Sequence, residues 1–129
     1  MITALAFAIL SQGPVGPVEG RCQYGPALVE RAKETATVLT DCNTFERTTN
    51  GSEEVFEFGR RSWGPSLRLS GTMHGNALTV TSLRTRSGTL EQARGDCEMF
   101  FREGELHRVA CLAKGRTLWH SVNFVVSDL

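Results

Sequence analysis

The chain has 129 residues, of which 14 are basic and 14 acidic, so its formal net charge is zero at pH 7. A chain of this length is expected to fold as one domain around one core. Balanced, mixed charges make a poor polyelectrolyte, which argues against nucleic acid or an anionic membrane surface as the partner.

The first twenty residues combine an apolar run with a segment rich in glycine and proline. Residues 2–10 are apolar and uncharged, too few to span a bilayer and about as many as the hydrophobic region of an export signal. No basic residue precedes them, which leaves a buried N-terminal strand as the alternative. We predict an export signal over residues 1–13, a flexible leader over 14–20 and a single β domain over 21–129. This protein would be periplasmic or secreted, with no stable membrane insertion.

From residue 21 onward the sequence is typical of short strands. Segments with alternating apolar and polar side chains, rich in β-branched residues, are separated by turns that contain Gly, Asn or Pro. We predict strands at GRCQY (20–24), TATVLTDC (35–42), EVFEFGRR (54–61), SLRLSGTM (66–73), NALTVTSLRT (76–85), RGDCEMFF (94–101), LHRVACLA (106–113) and TLWHSVNFVV (117–126). The fold class is therefore all-β, a single antiparallel sandwich or small barrel of about eight strands.

One segment, PALVERAKET over residues 26–35, has a proline at its start and several good helix formers. It is brief and leads into a Thr-rich run. We predict an irregular or short-strand connection there, with one helical turn as the alternative.

A hairpin is expected between residues 66–73 and 76–85, with His74-Gly75 at the centre of its turn. In that register Leu69 faces Val80 and Gly71 faces Leu78, so the apolar side chains share one face.

A second hairpin places a three-residue turn at residues 103–105. Met99 then opposes Val109, and Cys97 opposes Cys111, close enough for a disulfide. Four cysteines in a short, exported chain favour two disulfides, so Cys22 would pair with Cys42. Zinc is the competing interpretation, and the absence of a Cys-x-x-Cys pair argues against it.

The tripeptide Arg94-Gly95-Asp96 invites comparison with an adhesion signal. Such recognition needs an exposed loop, whereas Cys97 ties the tripeptide to a strand. We favour a structural, disulfide-bonded hairpin.

Extending the sheet through a turn at Lys114-Gly115 pairs Val109 with His120. His107 and His120 then lie on one apolar face, about two residues out of register. They suggest a metal-binding or proton-transferring pair, with buried histidines bonded to backbone carbonyls as the simpler alternative. We predict no metal and no cofactor.

The opposite face of these strands is too apolar to be fully solvated. Either a second sheet covers it, which we favour, or it is a binding surface where Arg108 stacks on Trp119. Trp63, in a turn beside two arginines, is the other candidate for recognition, and a tryptophan packed over a sheet edge is the alternative interpretation.

Three segments, ARGDC (93–97), VACLA (109–113) and NFVVS (123–127), together with VLTDC (38–42) and the apolar leader, resemble small uncharacterised exported β-proteins of alphaproteobacteria. The resemblance implies an all-β exported protein and supplies no catalytic residue.

Catalytic motifs such as Gly-x-Ser-x-Gly and His-Glu-x-x-His do not occur in the sequence. We therefore predict a non-enzymatic envelope protein that binds a protein or a cell-wall component. The alternatives are a barrel-type carrier of a small ligand, with a cavity lined by Phe56, Phe58, Phe101 and Phe124, and a periplasmic inhibitor of a hydrolase.

Overall fold

Nine strands and one helix make up residues 15–127, the part of the chain that the computed structural model describes. In chain order they are β1 (Val15–Cys22), α1 (Pro26–Thr35), β2 (Thr37–Leu39), β3 (Thr44–Asn50), β4 (Glu53–Arg60), β5 (Gly64–His74), β6 (Ala77–Thr85), β7 (Leu90–Arg102), β8 (Glu105–Lys114) and β9 (Trp119–Val126). The predicted export signal over residues 1–13 lies outside the described residues.

The strands form one closed sheet. From β3 to β9 each strand pairs antiparallel with the next, and β1 pairs with both β3 and β9, so eight strands complete a barrel. The ninth strand, β2, adds to the start of β9 in parallel. The predicted all-β class is confirmed, and of the two architectures the fold is the barrel. In this part of the chain no helix is long and apolar enough to cross a membrane.

Apolar side chains fill the barrel because alternate residues of every strand point inward. Four phenylalanine rings pack together, with Phe45 at their centre: its ring centroid lies 5.3 Å from that of Phe56 and 5.1 Å from that of Phe58. Aliphatic residues complete this core: Leu67, Leu69, Leu78, Val80, Leu83, Met99, Val109 and Val122.

Both predicted disulfides are present. Cys97 and Cys111 are directly opposed on β7 and β8, and Cys22 at the end of β1 is bonded to Cys42 just before β3. No cysteine of the described chain is free.

Both hairpins form as predicted, but both turns differ from the predicted ones, and in β5–β6 the register differs as well. The β7–β8 turn has two central residues, Glu103 and Gly104, with φ of 54° and 82°, which matches the twist of the strands. A bulge after Phe100 then restores the predicted pairing of Met99 with Val109. In the β5–β6 hairpin the turn is Gly75-Asn76, so Leu69 faces Leu83 and Gly71 faces Val80.

The predicted register of β8 against β9 is wrong by four residues. A loop over residues 115–118 replaces the expected tight turn, and Val109 pairs with Phe124 while Ala113 pairs with His120. An even shift leaves every side chain on its predicted face, because side chains alternate with a period of two.

Two further expectations are wrong. Residues 26–35 form an α-helix with Pro26 in its first turn. Ala36 caps its C-terminus with a left-handed backbone, and its N–H donates to the Ala32 carbonyl. Residues 15–20 of the predicted flexible leader belong to β1, where Val18 pairs with Phe45. Strand β3 has no counterpart among the predicted strands.

The barrel has two distinct ends. The Trp63 end carries four connections of three or four residues, over residues 40–43, 61–63, 86–89 and 115–118. The Gly104 end carries three tight turns, at residues 51–52, 75–76 and 103–104.

Candidate functional site

Trp63 occupies the turn between β4 and β5. Its backbone N–H donates to the Arg60 carbonyl at 3.1 Å, which fixes the turn, and 36% of the residue surface is exposed. The guanidinium that stacks on its indole belongs to Arg86, from the β6–β7 connection, with the Arg86 Cζ 3.7 Å from the ring centroid. Trp63 is therefore partly exposed, and the stacking arginine is neither of the two that precede it in sequence.

A cavity of about 400 Å³ opens beside this pair, in the mouth of the barrel. We call it the mouth pocket. Its walls are mostly apolar, and its polar groups come from four different segments: Val38, Leu39, Thr40, Asp41, Trp63, Ser66, Leu67, Thr85, Arg86, Ser87 and His120.

The wall formed by residues 39–42 is held in place from three sides. The Thr40 N–H donates to the Ser121 carbonyl at 3.0 Å, and the Ser66 hydroxyl donates to the Asp41 carbonyl at 2.9 Å. The Asp41 carboxylate accepts from Arg60 at 3.0 Å. Together with the Cys42 disulfide, these contacts make one side of the pocket rigid.

His120 lies on the inner face of β9 at the bottom of the mouth pocket and is only 6% exposed. Burial lowers the pKa of its imidazole below the ordinary value, and the nearby Glu91 carboxylate opposes this shift. The ring is therefore neutral at pH 7, so it offers one N–H donor and one acceptor.

His107 lies at the other end of the barrel. Its Nε2 is 3.2 Å from an Arg102 guanidinium nitrogen, next to the Glu103-Gly104 turn. His120 pairs with Ala113, six residues along β8 from His107, which corresponds to roughly 20 Å of strand. The two histidines cannot share a ligand, and residues 15–127 contain no cluster of three or more His, Cys, Asp or Glu side chains that could hold a metal ion.

Trp119 is also at the Trp63 end, on the outer face of β9. The residue is 37% exposed, and the Lys114 Nζ lies 5.9 Å from its ring centroid. The expected stacking of Arg108 on Trp119 is wrong, because Arg108 pairs with Val125 near the other end of β9 and Lys114 pairs with Trp119.

Arg108 instead belongs to a groove on the outer wall. Its guanidinium lies 4.2 Å from the Phe100 ring centroid and donates to the Asn123 side chain at 2.9 Å. The second sheet that we expected over this face is not present among residues 15–127, since all nine strands belong to one sheet. The segment around Tyr24 and Leu28 borders the groove at one side.

The tripeptide Arg94-Gly95-Asp96 lies within β7 and is paired on both sides. Gly95 faces Val80 on β6 and Ala113 on β8. Backbone that is hydrogen-bonded across a sheet does not form the exposed loop that adhesion requires.

Charge is distributed unequally between the two ends. The connections and strand termini of the Trp63 end carry one acidic residue, Asp41, and five basic residues, Arg60, Arg61, Arg86, Lys114 and Arg116. Those of the Gly104 end carry one basic residue, Arg102, and three acidic residues, Glu53, Glu103 and Glu105. Two further carboxylates reach this end: Glu19 is paired with Arg61, and Glu91 accepts a hydrogen bond from the Arg116 backbone N–H. With these included, five basic residues stand against three acidic ones, so the Trp63 end has a small excess of positive charge although the whole chain is neutral.

Exposed apolar side chains concentrate at the same end. Of the eight large exposed hydrophobic residues in the described chain, five lie there: Val38, Trp63, Leu90, Leu118 and Trp119. The two tryptophans could be selected from the sequence, whereas Val38 and Arg86 could not, since only the fold brings the connections together.

Comparison with known proteins assigns no relative to the chain, because no family model, no curated protein and no solved structure matches it.

Proposed function

We propose that this chain is a non-enzymatic, exported envelope protein that binds another protein through its Trp63 end. The observation that carries the proposal is the coincidence, at one end of a rigid barrel, of the mouth pocket, the exposed tryptophans and the excess of basic residues. Exposed aromatic residues and arginine are the side chains enriched in protein interfaces.

The disulfides support the cellular location. Two disulfides and no free cysteine among the described residues fit an oxidising compartment, such as the periplasm or the extracellular space. Export itself rests on the predicted signal over residues 1–13.

The contacts within the mouth pocket support binding rather than catalysis. Asp41 is paired with Arg60, Ser66 is bonded to the backbone of Asp41, and Arg86 is stacked on Trp63. These polar groups hold the shape of the pocket, as expected of a preformed recognition surface.

The carrier alternative has less support. Three of the residues expected to line a cavity, Phe56, Phe58 and Phe124, are fully buried and pack around Phe45. Phe101, the fourth, is 44% exposed and lies at the Gly104 end. The other alternative, inhibition of a hydrolase, is compatible with the proposal, because in that case the bound partner protein is an enzyme.

Affinity capture from the envelope fraction of the source organism tests the proposal. The immobilised oxidised protein should retain one envelope protein, and Trp63→Ala should reduce the retained amount by about tenfold, because buried tryptophans dominate interface energies. The matched control is Phe101→Ala, which removes an exposed aromatic ring at the opposite end. Equal retention by all three proteins, or binding to purified cell wall in place of a protein, contradicts the proposal.

A further inference from the structure

We propose that the mouth pocket binds a segment of the partner protein in which a side-chain carboxylate lies next to a bulky apolar side chain. This inference rests on the proposed function and specifies the chemistry of its ligand.

Arg86 provides the carboxylate site. Stacking on Trp63 engages the flat face of its guanidinium, which leaves the N–H groups at the edge free to form a bidentate pair with a carboxylate. Within the described part of the chain, no carboxylate forms an ion pair with Arg86, whereas Arg47, Arg60, Arg61 and Arg68 each have one. The stacked ring also restricts the arginine, so less conformational entropy is lost when the carboxylate binds.

The surrounding charges favour an anion. Asp41 is the one carboxylate that lines the mouth pocket, and its pairing with Arg60 neutralises it. Of the four other basic residues at the Trp63 end, Arg60 and Arg61 are paired with Asp41 and Glu19. Lys114 and Arg116 add the remaining positive potential around the opening, partly offset by Glu91, and this potential favours an acidic segment over a basic one.

The apolar side chain of the ligand would lie against Val38, Leu39 and Leu67. Val38 is 39% exposed although it faces the mouth, so covering it removes apolar surface from water. A volume of about 400 Å³ accommodates one or two large side chains rather than an extended molecule.

The exposed apolar residues beside the mouth pocket favour a protein segment over a free organic acid as the ligand. Leu118 and Trp119 are exposed next to β2 and lie outside the mouth pocket. A small acid would leave both in water, whereas a protein that inserts one segment into the pocket would also cover them.

By contrast, the walls of a larger groove of about 620 Å³ on the outer face of β3 to β6 carry more carboxylates than arginines. Of its two arginines, Arg68 is paired with Glu57 and Arg84 donates to the Gly88 carbonyl. The mouth pocket is therefore the better site for an acidic segment.

The test is an NMR titration of the folded, oxidised protein with short peptides blocked at both ends. One peptide carries Phe-Glu between glycine and serine residues, and the other carries Phe-Gln in the same frame. We expect the Phe-Glu peptide to shift the indole N–H signal of Trp63 and to bind about tenfold more tightly than the Phe-Gln peptide, since a charge-assisted pair is lost in the second.

Two variants and one small acid complete the design. R86Q replaces an exposed, charged side chain and should weaken binding of the Phe-Glu peptide by about tenfold, whereas R102Q at the Gly104 end should leave it unchanged.

Equal binding of the two peptides, or no effect of R86Q, overturns the inference. So does tighter binding of 4-phenylbutyrate than of the peptide, which would identify free apolar acids as ligands. If affinity capture still depends on Trp63 in these cases, the proposed function stands and only the ligand chemistry is wrong.

Discussion

Tyr24 links the helical connection to the barrel through one hydroxyl group. Its oxygen lies 2.7 Å from the Thr40 carbonyl and 3.1 Å from the Ser121 carbonyl, so the hydroxyl can donate to either. Burial raises the pKa of Tyr24 to about 12, from an ordinary value of 10.0. The wall of the mouth pocket thus depends on a protonated phenol.

Tyr24 is the only tyrosine of the chain, so its ionisation can be followed directly by ultraviolet absorbance. We expect a midpoint near pH 12 for the folded protein and near pH 10 in denaturant. Because the folded state binds the proton more tightly, the free energy of unfolding should fall as the pH rises above 10. A single midpoint near pH 10 in both conditions would show that the hydroxyl is solvated.

His120 makes stability depend on pH in the opposite direction. Its pKa in the fold lies below the ordinary value of 6.5, so the unfolded chain binds the proton more readily. The free energy of unfolding should therefore be lower at about pH 5.5 than at about pH 7.5, and His120→Gln should reduce that difference. Urea unfolding of both proteins at the two pH values measures it, and an identical pH dependence would mean that His120 is solvated.

At the scale of single residues, the sequence identifies candidate binding residues but does not predict which side chains contact them in the fold. Trp63 could be selected because an aromatic residue in a turn has little reason to be fully buried. Its contact with Arg86 could not be predicted, since 22 residues separate them and only barrel closure brings their connections together.

At the scale of elements, Gly71 determines how closely β5 and β6 approach each other. A Cβ at this position would overlap the Thr79 carbonyl oxygen, next to the β-bulge between Ser70 and Gly71. We expect Gly71→Ala to lower the free energy of unfolding by about 3 kcal/mol, because the clash is with backbone that cannot move aside easily.

The matched control is Gly16→Ala in β1, where a Cβ would meet no atom within 4 Å. Denaturant unfolding compares the two variants with the original protein. A loss for Gly71→Ala that is no larger than that for Gly16→Ala would show that β5 and β6 can separate.

The elements themselves were predictable where apolar alternation is strong, as in β5 to β8. Strand β3 was missed because TFERTTN places Arg47 and Thr49 at inward positions, where an apolar residue is expected. Arg47 is accommodated by its pair with Glu54 on β4. The helix was missed because only one of its residues, Ala32, is buried, so it has almost no apolar stripe.

At the scale of the whole molecule, the two disulfides join parts of the barrel that the hydrogen bonds alone would hold less firmly. They close segments with sequence separations of 14 and 20 residues. Replacing Cys97 and Cys111 together by alanine should lower the free energy of unfolding by about 3 kcal/mol, through loss of loop closure in the unfolded chain.

Urea unfolding of the double variant measures this loss, and alkylation followed by mass spectrometry provides the control. The original protein should take up no alkylating reagent until it is reduced, and the variant should still protect Cys22 and Cys42. Stability equal to that of the original protein would mean that the β7–β8 pairing needs no covalent support.

The difference in charge between the two ends of the barrel is not visible in the composition, since equal numbers of basic and acidic residues give a formal charge of zero. This separation of charge along the barrel would orient the molecule toward the acidic partner that we propose. The class of fold and both disulfides followed from local patterns, whereas this polarity followed only from the positions of the connections.

We propose that the partner is bound at the Trp63 end. Photocrosslinking in cells tests this binding, with p-benzoylphenylalanine at position 63 or at position 101, both of which hold exposed aromatic residues. We expect irradiation to yield one defined adduct with another protein from position 63 and none from position 101. An adduct from position 101 alone, or the same adducts from both positions, would contradict it.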